Sequence, residues 1–229
     1  PKINSSKIKI ITKNMWNNYG RTLSEYMFLK GFRNNKFKSN INIVGKEILE
    51  KIKLENTPVI FISGHFSNFE LMAMEIEKSG VNLSAIYRPL NNVFLNLIME
   101  KIRKKYICKN QIKKGTGGVR ELLKLYKKGY SIALMIDQRV SEGIKSKFFS
   151  ADAFTTTIPA QFVKKFNCKV VPIYIERHHG INFNINIETP IEFTKNCSTE
   201  KITRDLNIWL EKMILKNPGE WIWSHNRWK

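Results

Sequence analysis

Residues 57–73 read TPVIFISGHFSNFELMA, and the fold follows from how this stretch breaks. Residues 58–62 form a short apolar run, long enough for one buried strand. Ser63 and Gly64 interrupt it, and His65 follows at once. From Phe69 the apolar residues recur at helical spacing, through Met72, Ala73 and Ile76. The stretch therefore predicts strand, tight turn and helix, with His65 in the turn and Glu70 at the start of the helix. On one regular helix, side chains five residues apart lie about 140° apart. His65 and Glu70 can meet only if His65 precedes the helix, where Gly64 lets the chain bend back. A carboxylate that reaches an imidazole fixes its tautomer and raises its basicity, which suits a general base for a hydroxyl.

The same alternation continues on both sides. Residues 41–44, 83–87, 130–136, 168–175 and 183–187 read as strands, the last extending past Pro190 to Phe193. Between them lie helical patterns. The N-terminal one carries Trp16, Tyr19, Leu23, Tyr26 and Met27, and 91–106 carries Phe94, Leu97, Ile98 and Ile102 on one side. Residues 46–54, 119–128 and 199–215 are further helices. Residues 155–166 open with three capping-type threonines, with Pro159 in the first turn. Residues 141–154 read as polar and irregular. Alternating strands and helices predict an α/β layered fold, a central mostly parallel sheet flanked by helices, in one domain over 1–229. Such sheets place sites beyond the carboxyl ends of their strands. His65, Arg88 and Asp137 all fall at such ends, which brings a base, a cation and a carboxylate to one edge.

Each residue also has a plainer reading. A histidine in a turn is more often structural than catalytic. Glu70 serves equally as a first-turn acid on the helix dipole, and Asp137 as a strand-ending turn residue. Arg88 before a proline is a common surface arrangement. The Gly115-x-Gly117-Gly118 loop is neither a P-loop nor a dinucleotide fingerprint. His178-His179 reads as a turn rather than a metal site. In the tail, Trp221, Trp223 and Trp228 alternate with His225, Arg227 and Lys229. That pattern suits a membrane interface, stacking on single-stranded nucleic acid, or a terminal segment packed on the core.

Hydrophobic content of 42% and aromatic content of 11% exclude a disordered chain. Lys and Arg number 39 against 19 Asp and Glu, a net charge of +20 that predicts an anionic partner. Abundant Lys, Asn and Ile also suggest a compositional bias that inflates this charge. Cys108, Cys168 and Cys197 are odd in number and widely spaced, against a disulfide framework or a zinc site, and Cys168 reads as a buried thiol. No run approaches the roughly 18 apolar residues of a membrane span.

Taken together, the motifs resemble the bacterial lipid A late acyltransferases of the lysophospholipid acyltransferase-like superfamily. GHFSNFE resembles the family's His-x4-acid motif, and IYRPLNN its Tyr-Arg-Pro block. IALMIDQ, KFF, AFTTTIPA, VVPIYIER and PGEWIWSHNRWK follow in the family's order. The resemblance implies a glycerolipid-acyltransferase-like fold. It also implies transfer of an acyl chain from acyl carrier protein, or coenzyme A, to a hydroxyl of a lipid A precursor. Lysophospholipid, glycolipid or aminolipid acceptors are the alternatives, with a basic nucleic-acid-binding protein as a remote one. His65 and Glu70 take the catalytic positions, and Arg88, Asn68, Asp137 and Gln138 those of substrate-binding residues. The resemblance implies no metal and no cofactor beyond the acyl donor. It places the protein at the cytoplasmic face of the bacterial inner membrane, against an anionic surface. Family members carry a further N-terminal stretch with a hydrophobic anchor, so this chain is expected to begin after it.

Overall fold

A computed structural model describes residues 3–228. In chain order its elements are α1 (Ser5–Glu25), α2 (Leu29–Arg33), β1 (Ile41–Val44), α3 (Lys46–Glu55), β2 (Ile60–Ser63), α4 (Glu70–Lys78), β3 (Leu83–Tyr87), α5 (Val93–Ile102) and β4 (Asn110–Lys113). Then follow α6 (Thr116–Lys127), β5 (Ser131–Met135), β6 (Ile144–Phe148), β7 (Ala151–Thr155), α7 (Ile158–Phe166), β8 (Val170–Arg177), β9 (Phe183–Ile187) and α8 (Thr199–Lys216).

The main sheet has seven strands in the order β1-β9-β8-β2-β5-β3-β4. Every neighbouring pair is parallel except β8–β9, so the expected mostly parallel α/β sheet is what the chain forms. β2 lies in the middle with all four of its residues buried, as a strand covered by helices on both faces must be. Its Phe61, Ile60 and Ile62 join Leu134, Val171, Leu71 and Leu210 in one continuous core.

Four local expectations change. Residues 141–154 are not irregular: they hold most of an antiparallel hairpin in which Ile144 pairs with Thr155 and Phe148 with Ala151. Phe148 and Ala153 are buried while Lys145 and Lys147 face solvent, the alternation of a half-buried hairpin. Thr155 accordingly belongs to β7 and does not cap α7, which begins at Ile158 with Pro159 in its first turn. β4 is a further strand that polar Asn110, Gln111 and Lys113 conceal in the sequence. The stretch beyond Pro190 makes only an isolated bridge, Ile191 to Val170, and does not extend β9.

The N-terminal helix forms as expected, but its aromatic and apolar stripe is split, with Tyr19 and Tyr26 half-buried. Met15, Asn18, Thr22 and Glu25 are buried, whereas Trp16, Leu23 and Met27 are exposed. What ties it down is polar. Glu25 accepts from Arg177 Nη1 at 2.5 Å and Nη2 at 3.1 Å, and from Asn68 Nδ2 at 2.8 Å. Both ion-pair partners are almost wholly buried, an arrangement whose carboxylate needs several donors to offset its desolvation. Among the described residues no helix is long and apolar enough to cross a membrane. Cys108 and Cys168 are buried free thiols whose pKa values burial pushes up, to about 12 and about 11.

Candidate active site

The register of the sheet decides which side chains meet. Phe61 of β2, Ala133 of β5 and Ala85 of β3 lie on one rung. His65 is four residues beyond Phe61 (65 − 61) and Asp137 four beyond Ala133 (137 − 133), so the two leave adjacent parallel strands at the same height. Arg88 is three beyond Ala85 (88 − 85). The Ile136 amide donates to the Ser63 carbonyl at 2.9 Å, extending the ladder to the base of the turn.

His65 and Asp137 are joined twice. Nδ1 of His65 lies 2.8 Å from Oδ1 of Asp137, and the His65 amide donates to Oδ2 at 2.7 Å. Trp221 Nε1 donates to the same Oδ2 at 2.9 Å. A carboxylate only accepts, so Nδ1 carries the proton of a neutral imidazole and Nε2 keeps its lone pair. Burial alone would push the His65 pKa down. The Asp137 charge and hydrogen bond outweigh it and leave the imidazole above its ordinary value. For Asp137, burial works upward, but the His65 ring, the His65 amide and Trp221 hold the carboxyl below the usual range. The His65 side chain keeps 19% exposure against 3% for Asp137, so one faces the cavity and the other stands behind it.

The turn that presents His65 is built differently from its sequence reading. Gly64 is not the left-handed residue; Ser67 is, at φ +44°. Gly64 is needed for room, because a Cβ there would come within 2.9 Å of Leu210 and of the Phe66 ring. Phe66 bridges to Trp221, and the Ser67 amide donates to the Glu220 carbonyl at 3.0 Å. The turn is thus clamped by the tail.

Glu70 does not supply the hydrogen bond to His65. It begins α4 and accepts from Arg103 Nε at 2.9 Å and Nη2 at 2.6 Å, and from the Tyr26 hydroxyl. Arg103 Nη2 also donates to Tyr26 Oη at 3.0 Å. Glu70 still adds to the negative field that favours protonated His65. Arg103 opens a π-type turn, Arg103–Ile107, a local irregularity that aims its guanidinium inward.

A cavity of about 520 Å³ opens on His65, and Glu70, Arg88, Arg103 and Gln138 also form part of its wall. Phe61, Met72, Ala73, Ile76, Ala85 and Ala133 give that wall an apolar part. A second recess of about 540 Å³ adjoins it through Arg88, Pro89, Lys114 and His225. Of the residues expected to bind substrate, Arg88 and Gln138 thus reach the cavity. Asp137 lies behind His65. Asn68 is buried, holds Glu25 and does not line the cavity. No group of three His, Cys, Asp or Glu among the described residues is placed to hold a metal ion.

The fold and this site can be set beside known proteins. The model of the bacterial lipid A biosynthesis acyltransferase family matches residues 2–229. The chain belongs to that family. Lipid A biosynthesis acyltransferase 2 of Shigella flexneri is 22% identical over 194 residues, covering 82% of this chain and 60% of the relative. The lipid A biosynthesis myristoyltransferase of Escherichia coli (strain K12) is 22% identical over 196 residues, covering 82% and 58%. The chain therefore spans about three fifths of the length of these curated relatives. The crystal structure of the 1-acyl-sn-glycerophosphate acyltransferase of Thermotoga maritima covers 94% of this chain and 98% of its own at a TM-score of 0.50 and 13% identity. The glycerolipid-acyltransferase-like fold is thereby shared.

Several residues of this family member escaped the sequence reading as parts of the site. Arg103 lies in a basic run with Lys101, Lys104 and Lys105, which in the sequence shows only as charge. Tyr26 read as part of a helical stripe. The tail follows the packed alternative. Trp221 is buried, Trp228 stacks on Phe148, and Arg227, with no exposure, donates to the carbonyls of Gln138 and Phe154 and to Thr155 Oγ1. Burial lowers the Arg227 pKa to about 10. His225 accepts from the Arg139 amide at 3.2 Å and lines both recesses. Lys229 lies outside the described residues. His178 and His179 form the β8–β9 turn, closed by backbone bonds to Asn182.

Proposed function

We propose that this family member transfers a fatty acyl chain from a thioester donor, acyl carrier protein or coenzyme A, to a hydroxyl of a lipid A precursor. The reading is carried by one observation: the Asp137-held imidazole of His65 lines a cavity whose wall combines apolar side chains with the exposed cations Arg88 and Lys114. Nε2 of His65 takes the proton of the acceptor hydroxyl as its oxygen attacks the thioester carbonyl. The C–O bond forms and the C–S bond breaks. The thiolate leaves with the proton from the imidazolium. Asp137 positions the ring and stabilises its charged form. Arg88 and Lys114 suit the phosphates of the acceptor or the anionic donor. Glu70, through Arg103 and Tyr26, shapes the wall beside the base. The site of action in this proposal is the cytoplasmic face of the inner membrane, with the acidic carrier protein as donor partner.

The test is acyl transfer from acyl carrier protein to tetra- and penta-acylated lipid A precursors in detergent, read by mass spectrometry of the lipid. Wild type should give a new acyl mass, and His65→Ala should lose about 10²–10⁴-fold in rate with its fold intact. Activity of His65→Ala within a few-fold of wild type would remove the imidazole from the mechanism. Product with lysophospholipids but not with lipid A precursors would change the acceptor and keep the chemistry.

A further inference from the structure

α5 is inside out. In a helix lying on a water-soluble surface the apolar stripe packs inward and polar residues face solvent. Here Asn96 and Glu100 of α5, and Arg103 of the turn that follows it, face the protein. Asn96 Oδ1 accepts from the Leu90 amide at 2.8 Å, and Asn96 Nδ2 donates to Glu100 at 2.7 Å. Glu100 also meets Lys113 at 3.4 Å, and Arg103 holds Glu70. The opposite stripe, Phe94, Leu97, Ile98 and Lys101, points away. Phe94 is 82% exposed and Leu97 62%, with Val93, Leu95 and Ile98 exposed around them, and no residue of α5 is buried. An exposed apolar patch of this continuity marks an interaction surface.

We infer that α5 is the element by which the protein enters an anionic lipid surface, its apolar stripe among the acyl chains and its lysines at the headgroups. Three observations favour lipid over a protein partner. Lys101, Lys104 and Lys105 are all exposed at the C-terminal end of the stripe, where ammonium groups reach lipid phosphates while their stems stay in apolar surroundings. The whole chain carries +20, which favours an anionic surface. Continuity with the cavity is the third. Leu90 and Asn91, which lead directly into α5, line it, as does Arg103, which follows α5. Tyr19 of α1 also lines the wall, and its ring meets exposed Trp16 edge-on at 6.2 Å. A lipid drawn up beside α5 is therefore delivered to His65 without crossing water. This inference rests on the acyl-transfer reading only for the direction of delivery; the helix's inversion stands without it.

The test is vesicle flotation with no acyl donor present, so that its outcome is independent of turnover. Wild type should float with phosphatidylglycerol-containing vesicles. Phe94→Asp/Leu97→Asp should lose about tenfold or more of that binding, as removal of two inserted apolar side chains requires. Lys101→Glu/Lys105→Glu should weaken binding and flatten its fall with salt. Leu54→Asp, at an exposed leucine of α3 remote in sequence from the stripe, should bind as wild type. Phe94→Trp should show quenching by brominated lipids above the wild-type level, which reads insertion without disturbing the helix. Unchanged flotation of the Phe94→Asp/Leu97→Asp variant, or no added quenching of Phe94→Trp, would overturn the inference. So would a wild-type dimer that this double variant dissociates, which would make a second copy the occupant.

Discussion

His65 and Asp137, 72 residues apart in the chain, are brought within 2.8 Å by the pairing of Ser63 with Met135, each partner standing two residues past that rung. The contact is a property of register. A slip of one residue between β2 and β5 would turn the slipped strand's side chains to the other face of the sheet and part the pair. The pair is therefore as rigid as the buried centre of the sheet, which is what a preorganised base requires.

The raised His65 pKa gives the proposed reaction a defined pH dependence. Transfer by the proposed mechanism needs the neutral imidazole, so the rising limb of kcat/KM should lie above the ordinary histidine value of about 6.5. Asp137→Asn removes the carboxylate that raises it. That variant should move the limb to lower pH and lower the rate about 10²–10⁴-fold. A limb unmoved by the substitution would show that Asp137 does not act through His65. The same shifts bear on stability. The raised His65 contributes below about 6.5 and loses its contribution as pH rises through its folded value. The lowered Asp137 contributes above about 3.9 and loses its contribution as pH falls through its folded value. The Tm difference between wild type and Asp137→Asn should therefore be largest between about pH 4 and 6.5.

Trp221 should behave as a positioning residue for Asp137. Trp221→Phe keeps most of the buried ring and removes the N–H donor, leaving a carboxylate oxygen with the His65 amide. A carboxylate with one donor fewer attracts the imidazolium more strongly, so the pH limb should move upward, opposite to Asp137→Asn. The stability cost should be about 1–3 kcal/mol in urea unfolding. A loss of stability without a moved limb would reduce Trp221 to packing.

Glu70 and Arg103 form a largely buried ion pair, so removing one partner should cost more than removing both. Arg103→Met alone should destabilise by about 3–5 kcal/mol, because it strands the Glu70 carboxylate. The double variant Arg103→Met/Glu70→Gln should recover part of that loss. Urea unfolding of the three proteins measures the coupling, and additive losses would refute it.

In the proposed reaction, Ala73, Ala85 and Ala133 of the cavity wall set how far the acyl chain runs. Ala133→Leu adds volume where the alanine side chain meets the cavity, so the lipid product should shift to shorter acyl chains. Mass spectrometry of products formed from a mixture of donors measures the distribution. An unchanged distribution would place the chain elsewhere.

The strand, turn and helix of residues 57–78 were legible because each carries its own local pattern, and the strand ends located His65, Arg88 and Asp137 together. The choice of Glu70 as the histidine's partner went wrong because it weighed nearness in sequence, whereas the real contact depends on strand order and register, which periodicity does not encode. Residues 141–154 hid a hairpin because its exposed lysines masked the alternation. α1 and α5 show the limit of amphipathic reading. Their stripes were visible, but periodicity gives the direction of a stripe and not which side is the core.

The clamp of Trp221 and Glu220 on the turn bears on when the site comes into being. The chain emerges from the ribosome N-terminal end first, so α1, the histidine turn and the outward-facing α5 are made before residues 218–228. Until those residues arrive, Asp137 lacks its indole donor, the turn lacks its bridge, and Arg177 of β8 lacks the Glu220 carboxylate that receives its amide. In the proposed reading, a partly made chain thus presents the exposed α5 stripe while His65 is still unset, so that adherence to a bilayer precedes competence for transfer.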